Sequence, residues 1–480
     1  MIRRALILPA LIVAAVPAAS AASAQVAATP APTTAPLTLD DVLRSSARSA
    51  PQIVEALAIV RSAEGRALTA DGAFDTVFEV DSKSRLLGYY DGTVAAARAT
   101  RPLSDNGGYL YGGYRVSRGE FPVYEDENYT NRLGELKVGA LYSLLRDRLI
   151  DERRTRRTLA AGDIDIAQFE RAAVAIGVQR RAVDAYQNWV AAGLRLRAYR
   201  DLLALSESRR GGLARQVQLG ARPDILIAEN DQNLVRRRAL VVRAEGDYQA
   251  AANTLSLYYR DDAGEPVLVR PERLPDDAAA LAGVAAIARS DATERRPEFQ
   301  VLLTRIDQGM ARLALAQNEL RPRLDLRGEV GKDVGEPGLG GPNRTPLEAA
   351  VGVRFSVPLQ NRAARGRIAE ARAEMDALSA RGRFLRDQIV VEVEGITIGV
   401  DAAERLAIIA EQERQLAERL AAAERRRFEL GSSDFFLVNQ REETANDARV
   451  RVIDAQARIA AARAELAAAT ADRAALGLDP

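Results

Sequence analysis

Apolar residues recur along this chain with two different periods, and the two alternate. From about 38 to 72, 151 to 259, 292 to 320 and 363 to 475 the spacing is helical, in stretches rich in Ala, Leu, Arg and Glu. Segments 73–147 and 321–361 instead carry Gly, Pro and Tyr and alternate with a period of two. The stripe Val241, Ala244, Tyr248, Ala251, Leu255 steps 3-4-3-4, the seam of a helix that stays against a partner helix. Alanine at every second seam position lets the two axes approach closely. Residues 152–216 predict a rod of roughly 100 Å at 1.5 Å per residue, too long to bury itself in one globular core. Glu404, Arg405, Glu411, Arg414, Glu418 and Arg419 read as solvated helix sides with i,i+4 pairs.

The order helix, β, long helix occurs twice, separated by a connector with Gly264, Pro266, Pro271 and Pro275. A nearly fixed offset makes this an internal duplication. Leu219-Gly220 recurs as Leu430-Gly431, 211 residues on, and the same offset turns the seam into Val452, Ala455, Ile459, Ala462, Leu466. Gly139, Tyr142 and Ser143 recur 213 residues later as Gly352, Phe355 and Ser356. Pro51 and Pro297 stand at the start of corresponding helices. Units are expected at 38–270, with its β part at 73–147, and at 292–480, with its β part at 321–361, joined by a connector at 271–291. Gly220 and Gly431 predict the turns between an outgoing and a returning helix. The basic runs Arg236–Arg238 and Arg425–Arg427 near them are read as solvated faces, with docking of a partner protein as the sharper alternative.

The strands are two-faced. Leu324, Leu326, Gly328 and Val330 alternate with Arg323, Asp325, Arg327 and Glu329; Val351, Val353, Phe355 and Val357 alternate with Gly352, Arg354 and Ser356. In the first unit, Phe78, Val80 and Leu86 alternate with Glu79, Asp81, Lys83 and Arg85, and Leu136, Val138, Ala140 and Tyr142 with Glu135 and Lys137. An antiparallel sheet with one wet face alternates in this way, and so does a membrane β-barrel with lipid outside and water inside. The N-terminus weighs for the barrel. Arg3 and Arg4, the apolar run Ala5 to Val16 and the small residues Ala22-Ser23-Ala24 form a secretory signal, 1–24, ahead of an Ala/Pro/Thr-rich leader at 25–36 read as disordered. No other stretch is apolar enough for a membrane helix, so a mature chain that crosses a bilayer does so as strands.

Composition narrows the chemistry. Lys and Arg number 67 against 66 Asp and Glu, a net charge of +1 with no global field to hold nucleic acid. There is no Cys, hence no disulfide, thiolate metal site or lipid-modified N-terminal cysteine, and no His, the commonest acid–base residue and metal ligand. Gly335 to Gly341 lacks the Lys-Ser/Thr of a phosphate loop. No catalytic constellation, metal site or cofactor is expected.

Four strands stand out, two per unit, with room for further irregular strand in 92–131. Known barrels need at least 8, and open edges do not face lipid, so several copies must share one. Three copies of four strands give 12. Three features carry a family resemblance. Glu319-Leu320-Arg321-Pro322-Arg323-Leu324 joins helix to strand, and Val353-Arg354-Phe355-Ser356-Val357-Pro358-Leu359 returns strand to helix. Leu219-Gly220 and Leu430-Gly431 are each followed by an acidic-hydrophobic stretch, Asp224-Ile225-Leu226 and Asp434-Phe435-Phe436. In this order, twice over, the chain resembles the TolC-type outer-membrane efflux proteins across nearly all of 38–475.

The resemblance implies a mainly helical homotrimer with a 12-stranded barrel in the outer membrane and a coiled-coil tunnel through the periplasm. It would be met by a periplasmic adaptor and an inner-membrane pump, as the passive, non-enzymatic duct of a tripartite efflux or type I secretion system. The rival is a periplasmic coiled-coil adaptor with ordinary globular β-domains. The family places acidic residues just past the tip glycine at a constriction; here the ungapped register puts Leu226 and Leu437 there, a slip of two or three residues puts Asp224 and Asp434 there, and Gln440 is a further polar candidate. For Asp224, Asp434 and Glu229 a helix N-cap or first-turn role is the competing assignment.

Overall fold

The computed structural model describes residues 35–276, 278–285, 291–339, 344 and 346–478. The expected signal, most of the 25–36 leader and part of the 271–291 connector lie outside the described residues. The chain begins with α1 (Leu39–Ser49) and α2 (Pro51–Asp71), followed by β1 (Val77–Ser84), β2 (Thr93–Pro102), β3 (Tyr109–Arg118) and β4 (Glu135–Ser143). Then come α3 (Glu152–Gln218) and α4 (Ile225–Leu255). After the connector, α5 (Ala292–Arg295) and α6 (Pro297–Asn318) lead to β5 (Arg323–Asp333), β6 (Glu348–Ser356), α7 (Arg362–Glu429) and α8 (Phe435–Ala469).

Local chemistry explains where these elements start. Thr38 and Asp41 form a reciprocal capping box on α1, and Pro51 and Pro297 occupy the first turn of α2 and α6, where a missing N–H costs nothing. Asp151 caps α3 by accepting from the Arg154 N–H at 3.0 Å. α3 then runs for 67 residues and α7 for 68, each roughly 100 Å long at 1.5 Å per residue. Their return helices, α4 and α8, have 31 and 35 residues. α3 packs on α2, α4, α6 and α8, and α7 on α6 and α8, so the helices lie side by side as staves.

The expected seam is only partly the packed one. In α4, Val241, Ala244, Tyr248 and Leu255 are buried as read, but Ala252 rather than Ala251 completes the stripe. In α8, Val452 and Leu466 are buried whereas Ala455, Ile459 and Ala462 are half-buried, and Ile453, Ala460, Ala464 and Ala467 are buried beside them. The reason is that α8 lies against both α7 and α3, which a single stripe does not serve.

All strands belong to one antiparallel sheet in the order β1-β2-β3-β4-β5-β6. The sequence count of four is therefore short by two: 92–131 holds β2 and β3 as regular strands, fully paired from Thr93↔Arg118 to Pro102↔Tyr109. The physical cause is composition. The run Val94-Ala95-Ala96-Ala97 has no polar–apolar contrast to reveal a period, and Gly112-Gly113 interrupts β3 with residues of low strand propensity. The two units meet at the β4–β5 ladder, where Val138 pairs with Val330.

The largest core lies midway along α3, around the chain's one tryptophan. Trp189 and Tyr186 are fully enclosed, Trp189 stacks on Tyr248 of α4 at 6.3 Å, and the Tyr186 hydroxyl donates to the Leu37 carbonyl at 2.9 Å. Leu37, Val42 and Leu43 before and within α1, Leu281 and Val284 of the connector, and Ala464 and Leu476 near the C-terminus fill the same cluster. Burial pushes the Tyr186 hydroxyl up to about 12, with the Asp41 and Asp40 carboxylates adding to it.

Candidate functional site: a two-faced wall and a helical tip

The register sorts the sheet into an apolar and a charged face, with exceptions towards strand ends: Arg101 and Lys332 share the apolar side, and Val77 and Val94 the charged one. Phe78 and Val80 pair with Ala99 and Ala97, these with Gly112 and Tyr114, and these with Val138 and Leu136. Val138 meets Val330, and Leu324 and Leu326 meet Phe355 and Val353. Among the described residues nothing covers this apolar face: Val80 is 68% exposed, Val138 67% and Val353 66%. Contiguous apolar surface of this size marks contact with lipid or another protein.

The opposite face carries the charges read from sequence. Glu79, Asp81 and Lys83 lie on β1, with Arg98 opposite Glu79; Arg323, Asp325, Arg327 and Glu329 lie on β5, with Arg354 of β6 opposite Asp325. Arg85 is the correction: it sits just past the end of β1, because the ladder stops at Ser84. Its guanidinium reaches Glu125 of the 3-10 turn Val123–Asn128 at 2.5 Å, and Lys83 reaches the same carboxylate at 3.4 Å. Ion pairs and hydrogen bonds knit this face both along strands and across them. Arg115 donates to Glu135 at 2.7 Å, with Lys137 at 3.3 Å, and Arg323 donates to Asp325 at 2.7 Å. Tyr111 of β3 donates to Glu329 of β5 at 2.6 Å, and Arg327 donates to the same carboxylate at 2.9 Å. Tyr111 spans β4 because position 139 is glycine; a Cβ there would lie 2.4 Å from the Tyr111 ring.

At the far end of the staves both turns adopt the geometry their glycines permit. Gly220 has φ +70° and Gly431 φ +79°. The Gly220 and Ala221 N–H groups donate to Val217 and Gln216, and the Gly431 and Ser432 N–H groups to Phe428 and Arg427, a Schellman close on each helix. Beneath the turns Leu213, Phe428, Phe435 and Val438 form a small apolar core, with Leu226 packed on it. Arg222 stacks over Phe428 at 4.9 Å and Arg209 over Phe435 at 5.8 Å.

The five constriction candidates separate here. Asp434 is an N-cap, accepting from the Leu437 N–H at 2.7 Å. Leu226 and Leu437 are half-buried, and Asp224, which precedes α4 without a side-chain cap bond, is exposed, as is Gln440. Glu229 is half-buried in the first turns of α4. Of the five candidates, Asp224 and Gln440 are the two that present exposed polar side chains without a side-chain cap bond.

Sequence reasoning missed the strongest electrostatic feature of the tip. Arg237, read within a solvated run, is 1% exposed, and Glu442 of α8 is 2% exposed. The Glu442 carboxylate receives Arg209 of α3, with Arg425 of α7 at 3.3 Å and Arg237 of α4 at 3.7 Å. Arg237 also donates to Ser206 and, at 3.1 Å, to the Leu202 carbonyl of α3. One carboxylate thus ties four helices together. Burial pulls the Arg237 guanidinium below its ordinary range, and the Glu442 charge opposes that pull. Arg236 and Arg238 do behave as solvated residues, pairing with Glu443 and Glu207.

A sheet with one uncovered apolar face and one charged face, set on paired staves of this length, is an architecture that known outer-membrane channels share. The sequence profile described as outer membrane efflux protein matches residues 288–472, essentially the second helix–β–helix unit. The fold is similar to the CmeC outer membrane channel of Campylobacter jejuni (TM-score 0.60, 13% identity, 92% of this chain and 86% of that one). It is similar also to the MtrE outer membrane channel of Neisseria gonorrhoeae (0.63, 14%, 92% and 89%) and to the outer membrane protein VceC of Vibrio cholerae (0.59, 16%, 90% and 95%). No curated protein matches the chain by sequence. Residues 288–472 thus match the outer membrane efflux protein family, and the whole chain has the fold of the outer membrane channels it resembles.

Proposed function

We propose that the chain is the outer-membrane subunit of a tripartite efflux or type I secretion assembly: a homotrimer, delivered by a cleaved signal, that forms a passive exit duct across periplasm and outer membrane. The observation that carries this is the uncovered apolar face running through every strand of a sheet whose two edges are both open, on a chain in which no described helix is long and apolar enough to cross a membrane. Such a sheet satisfies its backbone in lipid only by closing with other copies. The helical half supports the same assembly. Leu406, Ile409, Leu416 and Leu420 of α7 are each at least 50% exposed and fall on one 3-4 seam, with Glu413 at the intervening position. This seam fits the flank of a neighbouring copy.

Cargo would pass along the charged face, and work would be supplied by an inner-membrane pump acting through a periplasmic adaptor. Asp224 and Gln440 are the side chains proposed to line the narrow end, with the Glu442 cluster holding the four helices of each copy closed. The chain is read as catalytically inert and free of cofactors. The deciding experiment is expression in a bacterium, membrane fractionation and mass measurement in detergent. A detergent-requiring trimer in the outer membrane is expected; a water-soluble monomer, as a periplasmic adaptor would give, overturns the reading.

A further inference from the structure

We infer that each copy contributes six strands to the membrane wall, so that three copies close an eighteen-stranded barrel in which β1 of one copy pairs with β6 of the next. The inference rests on the trimeric-duct reading above and goes beyond its strand number.

Four observations on β2 and β3 place them in the wall. Each has 10 residues, within the roughly 9–11 that a tilted strand needs to cross a bilayer. Their register continues both faces of the sheet: Ala95, Ala97, Ala99, Leu110, Tyr114 and Val116 fall on the apolar side, where the one charge is Arg101 next to the last residue of β2, and Arg98, Tyr111 and Arg115 on the charged side. The charged side is bonded through them, since Tyr111 and Arg115 of β3 hold Glu329 and Glu135 on β5 and β4. And they separate β1 from β4 completely. A wall of four strands per copy would need β1 against β4, which requires breaking the whole β1–β2 and β3–β4 ladders.

The edges suit closure. β1 and β6 are exposed along their entire lengths, 8 and 9 residues. With an even strand number, β1 and β6 run in opposite directions, so the seam between copies is antiparallel like every other ladder in the sheet. For strands about 4.8 Å apart and tilted about 40°, eighteen strands give a backbone radius of roughly 18 Å against roughly 12 Å for twelve. The membrane section would then be about one and a half times as wide, closer to an open porin than to a side-chain-filled barrel.

The chain has no native cysteine, which makes the test direct. Val80→Cys is combined, in separate full-length variants, with Cys at Ala97, at Leu136, Val138 or Ala140, and at Ala349, Val351, Val353 or Phe355, all on the apolar face. Products are read on non-reducing gels beside the native mass and an image of the trimer in a lipid nanodisc. Expected are a bond within one chain for Val80 with Ala97, a bond between copies for one of the β6 positions, no bond to the β4 positions, and eighteen strands in the image. A trimer that joins Val80 to β4, or that images with twelve strands, overturns this inference and leaves the duct reading standing. A water-soluble monomer overturns both.

Discussion

Glu442 is where one side chain decides the most. Its carboxylate is buried among Arg209, Arg237 and Arg425, so truncation leaves cationic groups in a dry site with no counter-ion. Breaking a buried pair from one side costs about 3–5 kcal/mol, far more than the pair's net worth. Glu442→Ala is therefore expected to lower unfolding stability by about that amount, whereas Glu443→Ala, on the half-exposed pair with Arg236, should cost under about 1 kcal/mol. Denaturant melts of the two variants check the contrast. Gly431→Ala puts a Cβ into open space but at φ +79°, so it should cost about 1–2 kcal/mol from backbone strain alone. Tyr186 gives a pH dependence. Its folded value, about 12, lies above its unfolded value near 10, so the neutral hydroxyl favours the fold. That contribution is complete below pH 10 and is lost as pH rises through 12, a decline to be followed by the fluorescence of Trp189 beside it, and absent in Tyr186→Phe. The sequence made the tip glycines legible, because few residues other than glycine close a helix with a positive φ. It hid Arg237, because nothing in a run of three arginines tells which one a neighbouring helix will cover.

At the scale of elements, the staves were readable almost to the residue. A 3-4 repeat sustained over dozens of positions has few alternatives, and the caps at Thr38, Pro51, Asp151 and Pro297 punctuate it. Strands with strong contrast, such as Leu324 to Val330, were equally clear. β2 was not, since an alanine run looks the same on either face and only pairing with Phe78 and Val80 assigns its sides. The assignment is testable. Ala97→Lys places a charge on the apolar face and is expected to cost about 2–4 kcal/mol if it lies near the bilayer midplane, with loss of the proposed trimer from the mass measured in detergent. Ala96→Lys, opposite Asp81 on the charged face, should be tolerated. Equal tolerance of both would remove β2 from the wall.

The whole molecule joins two units of matching stave length at one ladder, β4 on β5, and at one core around Trp189. On the proposed reading, what closes it into a duct comes from further copies. Leu416→Glu with Leu420→Glu, on the bare α7 seam, is expected to leave the helical content intact while shifting the detergent-solubilised mass from three chains to one. Circular dichroism with light scattering would separate that outcome from simple unfolding. Edge arithmetic leads to several copies sharing one wall, but it did not give the six strands of each sheet, because composition conceals strands that only the ladder reveals.

The Trp189 core has a further consequence for biogenesis. It is filled from segments far apart in the chain, Leu37 ahead of α1 and Leu476 after α8. If folding follows the order of synthesis, the first staves can become helical early, yet this waist stays unfinished until the residues just past α8 are made. Removing the chain from Thr470 onward is expected to leave the mid-section unsealed, to be read as faster proteolysis of α3 around Trp189.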